Sequence, residues 1–389
     1  IQAAVTDTAG KPVSGAVIDG KYTTDENGKA EFYLPNGSYR LKTEKAGYPA
    51  GTYRLLVSGK AETIRILLKK SGGSGGDGAI TIEPIEPVLP DDSADTAVTQ
   101  RQTLSLGWGH SGAITGDGSL YMWGRNYYGQ LGDGTTEERH TPVKVLNNVV
   151  AVSLGEDHSG AITSDGSLYM WGYNGSGQLG DGTAANRYTP VKVLEDVVSV
   201  SLGISHSGAI TSDGSLYMWG WNGSGQLGDG TTTDRYTPVK VLENVVSVSL
   251  GWWHSGAITG DGSLYMWGGN DCGCLGDGTT TSRHTPVKVL DNVVSVSLGG
   301  AHSGAITGDG SLYMWGGNSG GELGDGTTTD RYTPVKVLED VVSVSLGISH
   351  SGAITGDGSL YMWGKNWDGQ LGDGTAANRY TPVKVLEDV

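Results

Sequence analysis

Short runs of β-branched and aromatic residues alternate with turn sequences along most of the chain. In a representative stretch the runs read VVSVSLG, HSGAIT, SLYMWG and TPVKVL. Their length and partial alternation of apolar and polar positions predict β-strands. A (G/S)-D-G tripeptide separates the second run from the third, first at residues 116–118, and predicts a tight hairpin. No run has the 3.6-residue apolar period of a helix, which excludes helical solenoid repeats.

This pattern belongs to one 48-residue unit that recurs six times. Its segment SLG-x-x-HSGAIT begins at six serines spaced 48 residues apart: Ser105, Ser153, Ser201, Ser249, Ser297 and Ser345. Four strands per repeat of about 40–50 residues are typical of a β-propeller blade. We therefore predict an all-β protein in which residues 96–389 form six four-stranded blades, closed into a ring.

The repeated pattern HSGAIT-x-DGSLYMWG-x-N-x-x-GQLGDGT…TPVKV resembles the RCC1 (regulator of chromosome condensation) repeat. The resemblance implies an RCC1-like β-propeller that closes by pairing its first and last strands. Relatives commonly have seven blades, whereas six units are present here. A seventh blade requires either sequence beyond Val389 or a degenerate strand at residues 96–100.

The first 70 residues have a different pattern, with D-x-x-GKPVSGA, TDENGKAEF and LPNGSY in succession. They resemble the prealbumin-like and Cna-B-type modules that act as stalks on bacterial surface proteins. The resemblance implies a small β-sandwich and an extracellular or cell-surface location. Some Cna-B modules carry a lysine–asparagine crosslink, but the first strand here has no lysine and the last has no asparagine, so we expect none. Residues 71–95 are a Gly/Ser and then Pro/acidic linker.

Composition and charge narrow the class of partner. The chain has 66 glycines and a net charge of −16, and residues 101–389 carry 15 basic against 29 acidic side chains. Binding to a polyanion requires clustered cations, so we expect no nucleic-acid partner. No apolar run approaches the about 18 residues of a membrane span, so we expect no membrane insertion. We expect a monomer and, because residue 1 is not methionine, a trimmed or mature fragment.

Candidate catalytic and metal-binding residues have structural explanations. One histidine recurs in every unit and cannot converge on a single pocket: His110, His158, His206, His254, His302 and His350. The Asp-Gly pairs lack the spacing of a calcium loop. Cys272 and Cys274 provide too few ligands for zinc, and a strained bridge and a free pair both remain open. We predict no enzymatic activity, no metal site and no cofactor.

Differences between units concentrate in the two residues before the recurrent histidine and in the x positions of W-G-x-N-x-x-G. Because antiparallel strands alternate in direction, both segments emerge on the same side of a blade. One framework tryptophan recurs in the SLYMWG segment of every unit, as a role in packing blade against blade requires, and the other five tryptophans all lie in the variable segments. We predict that these positions bind a ligand: Trp108, Arg125, Tyr127, Tyr128, Glu156, Asp157, Tyr173, Trp221, Trp252, Trp253, Asp271, Lys365, Trp367 and Asp368.

Aromatic side chains on glycine- and serine-rich loops are typical of recognition surfaces. The predicted function is therefore non-catalytic binding of a macromolecule, with a protein ligand preferred. A carbohydrate is the alternative, since tryptophan stacks on sugar rings. The nucleotide-exchange and chromatin role of eukaryotic relatives is a third, which the acidic charge disfavours. Drift of the loops after a recent duplication would explain the variation without any ligand.

Overall fold

The computed structural model describes residues 103–389 in full, together with the backbone of seven strands within residues 1–102. Two compact units make up the chain, Ile1–Val98 and Thr99–Val389.

The described strands of the N-terminal unit form two sheets. In the first, β1 pairs antiparallel with β4 and parallel with β7; the second has the order β3-β2-β5-β6. The strands are β1 (Gln2–Asp7), β2 (Val17–Ile18), β3 (Tyr22–Thr23), β4 (Lys29–Glu31), β5 (Gly37–Lys45), β6 (Tyr48–Val57) and β7 (Thr63–Leu68). The predicted packing of these sheets into a sandwich, the crosslink-free Cna-B module and the linker of residues 71–95 lie outside the described residues.

Residues 103–389 form six four-stranded antiparallel sheets, each built from the four consecutive strands of one repeat. We number these sheets as blades 1 to 6. Their strands are β8 (Leu104–Leu106), β9 (His110–Ile114), β10 (Leu120–Gly124) and β11 (Arg139–Leu146); β12 (Val149–Leu154), β13 (His158–Thr163), β14 (Leu168–Gly172) and β15 (Arg187–Leu194); β16 (Val197–Leu202), β17 (His206–Thr211), β18 (Leu216–Gly220) and β19 (Arg235–Leu242); β20 (Val245–Leu250), β21 (His254–Thr259), β22 (Leu264–Gly268) and β23 (Arg283–Leu290); β24 (Val293–Leu298), β25 (His302–Thr307), β26 (Leu312–Gly316) and β27 (Arg331–Leu338); and β28 (Val341–Leu346), β29 (His350–Thr355), β30 (Leu360–Gly364) and β31 (Arg379–Leu386).

The six predicted blades and the four strands of each are confirmed. First strands of consecutive blades contact one another, which places them on the inside and the fourth strands on the outer edge. One boundary differs from the prediction, because the fourth strand begins two residues before TPVKVL, at Arg139 in blade 1. The guanidinium of Arg139 binds the Asp133 carboxylate at 2.6 Å, which draws these residues into the strand. Pro142 lies exposed in this outer strand, where a missing N–H is tolerated and sheet extension is discouraged.

The hydrophobic core lies between blades. In one cluster Ile162, Leu168 and Met170 of blade 2 pack against Val200 and Trp219 of blade 3. The other clusters repeat this arrangement. A blade therefore buries its apolar side chains only when a neighbouring blade covers them.

A tryptophan packed on a glycine joins each pair of consecutive blades. Trp219 is fully buried, and its Nε1 donates a hydrogen bond to the carbonyl oxygen of Gln178 in blade 2 at 2.9 Å. Gly180, at a φ of +76°, leaves space for the ring, since a Cβ there would lie 2.8 Å from Trp219 Cδ1. This explains the constant W and GQLG elements. The packing role expected for the framework tryptophans is confirmed at Trp171, Trp219, Trp267, Trp315 and Trp363.

The recurrent histidines also join blades. His206 Nε2 lies 3.0 Å from Ser255 Oγ of the next blade, and Ser255 Oγ donates to the carbonyl oxygen of Gln226. Since the hydroxyl has one hydrogen, the imidazole is the donor to the serine. Burial lowers the pKa of four of these histidines to about 3 and that of a fifth to about 4: His158, His206, His254 and His302, and then His110. The expectation of structural histidines is confirmed.

Within residues 103–389, no blade packs against either end of the blade array. Leu104 and Leu106 of blade 1 are 57% and 69% exposed, and Trp123 is only half-buried. In blade 6, Gly372 corresponds to Gly180, but no atom lies within 4 Å of where its Cβ would be. Within residues 103–389 the first and last strands do not pair, so ring closure stays a prediction.

We predict that Trp267→Ala lowers the free energy of unfolding by about 3–5 kcal/mol, because it removes a buried indole at a joint between blades. Urea denaturation followed by circular dichroism would measure the loss. Tyr236→His is the control, since units 1 and 4 have histidine at this position, and it should change stability little. Equal effects of the two substitutions would contradict the assigned packing role.

We also predict that the blades of residues 103–389 begin to lose stability at a pH higher than that at which carboxylates become protonated. The buried histidines stay neutral down to a pKa of about 3 to 4, whereas in the unfolded chain they bind protons below about pH 6.5. Stability is therefore complete above pH 6.5 and falls as the pH decreases, by up to about 1.4 kcal/mol per pH unit for each histidine.

Urea unfolding between pH 7.5 and 4.5 would measure this slope. His254→Asn should reduce the slope of the unfolding free energy against pH by the contribution of one histidine. His140→Tyr, which introduces the residue found at this position in four other units, should leave it unchanged. A slope independent of His254 would contradict the prediction.

Candidate recognition face

The two variable segments of each blade are joined by a backbone hydrogen bond. In blade 2 the amide of Tyr173, which follows the third strand, donates to the carbonyl oxygen of Asp157, which precedes the second strand, at 2.9 Å. The same bond occurs in every blade: Arg125 to Gly109, Trp221 to Ser205, Gly269 to Trp253, Gly317 to Ala301 and Lys365 to Ser349. The fold thus brings the variable positions together on one side of the blades. We call this side the variable face.

A constant network of hydrogen bonds supports the long loop of the variable face. Asn126 is fully buried. Its Nδ2 donates to the carbonyl oxygens of Thr135 and Glu137, and its Oδ1 accepts from the amide of Leu131. Burial is the largest single influence on the pKa of Asp133 and would raise it. Hydrogen bonds from the Thr135 hydroxyl and the Arg139 guanidinium outweigh burial and hold this pKa below its usual value. Because every unit repeats this network, the neighbouring positions can vary without altering the backbone.

Blades 1 and 2 form a charged and aromatic group on this face. The guanidinium carbon of Arg125 lies 5.7 Å from the ring centroid of Trp108 and 5.1 Å from that of Tyr127. Its Nη1 is 3.5 Å from the Asp157 carboxylate. The arginine is therefore held between two exposed rings and a partly buried acid, a geometry that favours cation–π stacking. Beside it, the rings of Tyr128 and Tyr173 meet at a centroid distance of 4.9 Å.

Three titratable side chains of this group have raised pKa values. Burial raises the pKa of Asp157, and Arg125 opposes the shift. Burial raises the pKa of Glu156, and the neighbouring Asp157 charge adds to it. A hydrogen bond to Glu138 raises the pKa of Tyr127. A ligand that supplied a cation here would strengthen the ionised form of both acids.

Blades 3 and 4 contribute an apolar group. The rings of Trp221 and Trp253 meet edge to face, with centroids 4.9 Å apart and planes at 68°. Trp252 and Trp253 are 37% and 43% exposed. Edge-to-face pairs of this kind are favourable beyond the area they bury, so the two rings form a pre-built aromatic corner.

Blades 5 and 6 form a third group. Lys365 Nζ lies 5.6 Å from the ring centroid of Trp367, which is 72% exposed. The same Nζ is 3.9 Å from Glu322, whose carboxylate is buried and accepts the amide of Gly320 at 2.7 Å. Asp271 and Asp368 are exposed on their loops. Neither belongs to the three groups defined above.

Sequence reasoning missed one class of residue beneath this face. The glutamine of GQLG lies at each junction between blades, and it is replaced by Cys274 in unit 4 and by Glu322 in unit 5. These two departures in an otherwise constant motif were the available signal.

The two cysteines are free thiols rather than a bridge. Cys274 is buried, and its Sγ donates to the carbonyl oxygen of Gly269 at 3.0 Å. Burial raises its pKa to about 12, and burial also raises that of Cys272. Neither thiol has the lowered pKa of a nucleophile.

The opposite side of the blades scarcely varies between units. Asp117 accepts hydrogen bonds from Thr115 and Ser119 within its own hairpin, as the turn interpretation predicts. A cleft of about 700 Å³ opens there between blades 2 and 3, lined by residues such as Lys192, Asp213 and Tyr217. Most of its lining recurs at the other junctions, which differ at positions such as Asp196 and Ser212.

Within residues 103–389, no group of three or more His, Cys, Asp or Glu side chains is placed to hold a metal ion. The part of the chain that the structure describes also has no helix long and apolar enough to cross a membrane.

Comparisons with known proteins agree with this architecture. The family model of the RCC1-like domain matches residues 69–348, and two models of the regulator of chromosome condensation (RCC1) repeat match residues 341–370 and 357–389. Among curated proteins, the ultraviolet-B receptor UVR8 of Arabidopsis thaliana is 48% identical over 42 residues. That match covers 11% of this chain and 10% of the receptor.

Two solved structures are similar along most of their length. Human WBSCR16 superposes with a TM-score of 0.66 at 25% identity, over 81% of this chain and 88% of that one. Yeast RCC1 (Prp20), solved with Kap60 bound, gives a TM-score of 0.65 at 24% identity, over 73% of this chain and 74% of that one. The latter likeness concerns the fold alone.

Proposed function

Since this chain belongs to the family of RCC1-like domains, we propose that it is a non-catalytic recognition protein whose variable face binds a macromolecule, specifically a protein. The observation that carries the proposal is the pairing of the two variable segments in all six blades by one backbone hydrogen bond. Variation is concentrated on one side of a constant scaffold, and that side presents the exposed tryptophans.

The chemistry of the variable face favours a protein ligand. Two of its three groups combine large rings with a cationic side chain, as at Arg125 between Trp108 and Tyr127 and at Lys365 beside Trp367. The third is the apolar pair of Trp221 and Trp253. Tryptophan, tyrosine and arginine are the residues enriched at the energetic centres of protein interfaces. At the level of the fold there is a precedent, since the yeast RCC1 structure has Kap60 bound.

A carbohydrate ligand is the alternative, favoured by the exposure of Trp367, 72%, because an open indole face can stack on a sugar. The nucleotide-exchange and chromatin function of eukaryotic relatives is less favoured, because the chain carries a net charge of −16. Such a charge repels the phosphates of nucleic acid.

We also propose that the protein is bacterial and acts outside the cell or attached to its surface. The support is the sequence pattern of residues 1–70, which resembles stalk modules of such proteins. In this arrangement the first unit is a Cna-B-type sandwich that holds the recognition unit away from the surface.

We further propose that the blade array closes by joining blade 6 to blade 1 through the same joint that connects the other blades. Both halves of that joint are present. Blade 6 has His350, Gln370 and Gly372, and blade 1 has Ser111 and Trp123. These residue types make the hydrogen bonds at the internal joints, as His302 with Ser351 and Trp363 with the Glu322 carbonyl oxygen.

Closure predicts that Trp123→Ala lowers the free energy of unfolding about as much as Trp267→Ala, roughly 3–5 kcal/mol, because both indoles are then buried at a joint. Urea denaturation of the two variants side by side would measure this. If Trp123→Ala costs only a small fraction of the loss at Trp267, the ends of the array are open in solution.

Recognition predicts that Trp252→Ala and Trp253→Ala weaken ligand binding by about 2 kcal/mol, some 30-fold, while stability changes little. Ligands would be selected by panning a displayed protein library against the immobilised full chain, with a glycan array in parallel. Ala301→Ser is the control, because units 3 and 6 have serine at this position, and it should bind as the wild type does.

Selection of glycans alone would replace the protein ligand with the carbohydrate alternative. If Trp252→Ala and Trp253→Ala unfold the protein while binding tolerates them, the variable aromatic residues are packing residues and the proposal fails.

A further inference from the structure

One buried hydrogen-bond donor lies unsatisfied beneath the variable face. Gln226, the glutamine of the third GQLG motif, is fully buried. Its Oε1 accepts the amide of Ser224 at 3.0 Å, but among residues 103–389 its Nε2 has neither a protein partner nor contact with solvent. Buried donors are nearly always paired, so an unpaired one calls for an explanation.

The cause is the residue that the next blade places above this glutamine. At the junction of blades 1 and 2, Gln130 Nε2 donates to Asp157 Oδ1 at 3.0 Å. The residue that corresponds to Asp157 in blade 4 is Trp253, which has no acceptor in its side chain. Both Gln226 and Trp253 border Gly268, where a Cβ would lie 3.2 Å from Gln226 Cα and 2.6 Å from the Trp253 carbonyl oxygen.

The surroundings of this donor are aromatic, and no acceptor within the described residues 103–389 bonds to it. Trp221 packs edge to face on Trp253, so two indoles form the walls. The carbonyl oxygen of Trp253 is taken by the amide of Gly269, at 2.8 Å. The Oε1 of Gln226 is occupied by Ser224. The site therefore presents the unpaired Gln226 N–H between two indole rings, each with its own Nε1–H. It matches a ligand group that has an apolar surface and an acceptor.

Proline has this combination. Its ring is apolar, its carbonyl oxygen is an acceptor, and its nitrogen has no hydrogen to donate. In a polyproline II segment no internal hydrogen bonds occupy the carbonyl oxygens, and aromatic-lined grooves are a recurrent means of binding such segments.

We propose that the Trp221–Trp253 corner binds a proline-containing segment of the protein ligand, with a ligand carbonyl oxygen accepting a hydrogen bond from Gln226 Nε2. Trp253, 43% exposed, turns aside to admit the carbonyl and then packs on the proline ring. The inference rests on the proposed function, since it names the chemistry of the ligand at one part of the variable face.

The first test needs no ligand. Trp253→Asn supplies a neutral acceptor where Asp157 serves Gln130, whereas Trp253→Ala supplies none. Thermal melts of the full chain should show Trp253→Asn more stable than Trp253→Ala, by about 2–4 °C. The same comparison in a Gln226→Met background should show no difference. If Trp253→Asn has no advantage with Gln226 present, the donor is not strained and the proposal is overturned.

The second test uses N-acetyl-decaproline amide, titrated into the full chain and followed by calorimetry and tryptophan fluorescence. We expect saturable one-to-one binding at sub-millimolar peptide. Gln226→Met, which keeps the shape but removes the donor, should weaken it at least tenfold. Gln178→Met, the matched change at the junction of blades 2 and 3, should leave it unchanged. Circular dichroism of each variant would verify folding.

A Gly-Ser peptide of equal length and chitohexaose are the comparison probes. Failure of decaproline to bind, wild-type affinity in Gln226→Met, or stronger binding of chitohexaose each overturns the proposal. If panned protein ligands depend on Trp252 but not on Gln226, recognition through the variable face stands and only the proline inference fails.

Discussion

The joint between consecutive blades is the constraint on which the rest of this structure depends. Trp219 packs on Gly180 and donates to the Gln178 carbonyl oxygen, while a histidine–serine pair such as His206 and Ser255 adds a second buried link. Each blade alone has an uncovered apolar surface, so stability arises between repeats rather than within them, as in other repeat architectures.

This joint explains why variation is confined to one side of the protein. The tryptophan, glycine and histidine that join blades are identical in every unit, and Asn126 and its counterparts hold the long loop through backbone contacts. Side chains that point away from these bonds are free to differ. The scaffold can thus carry an arginine between two rings in blade 1 and a pair of indoles across blades 3 and 4 without a change of fold.

Variation on this face leaves one buried hydrogen-bond donor, Gln226 Nε2, without a partner in the described part of the chain. At the junction of blades 3 and 4, Trp253 occupies the position that Asp157 has at the junction of blades 1 and 2. The indole adds aromatic surface to the variable face but supplies no acceptor for the glutamine. Buried polar groups without partners and other locally unfavourable arrangements tend to occur at functional sites. This is why the donor carries more weight than the exposure of the rings alone.

The sequence by itself determined the six repeats, their four strands and the side of each blade on which variation lies, because strand periodicity and turn chemistry are local and are repeated six times. Only the tertiary structure decided which variable residues meet: Arg125 with Asp157, and Trp221 with Trp253. It also showed that Glu322 and Gln226 belong beneath the face. The residues of each pair lie about 30 positions apart, in consecutive repeats. Their contact depends on how one blade is rotated and packed against the next. That rotation is set by the buried joints, whose geometry no pattern along the chain records.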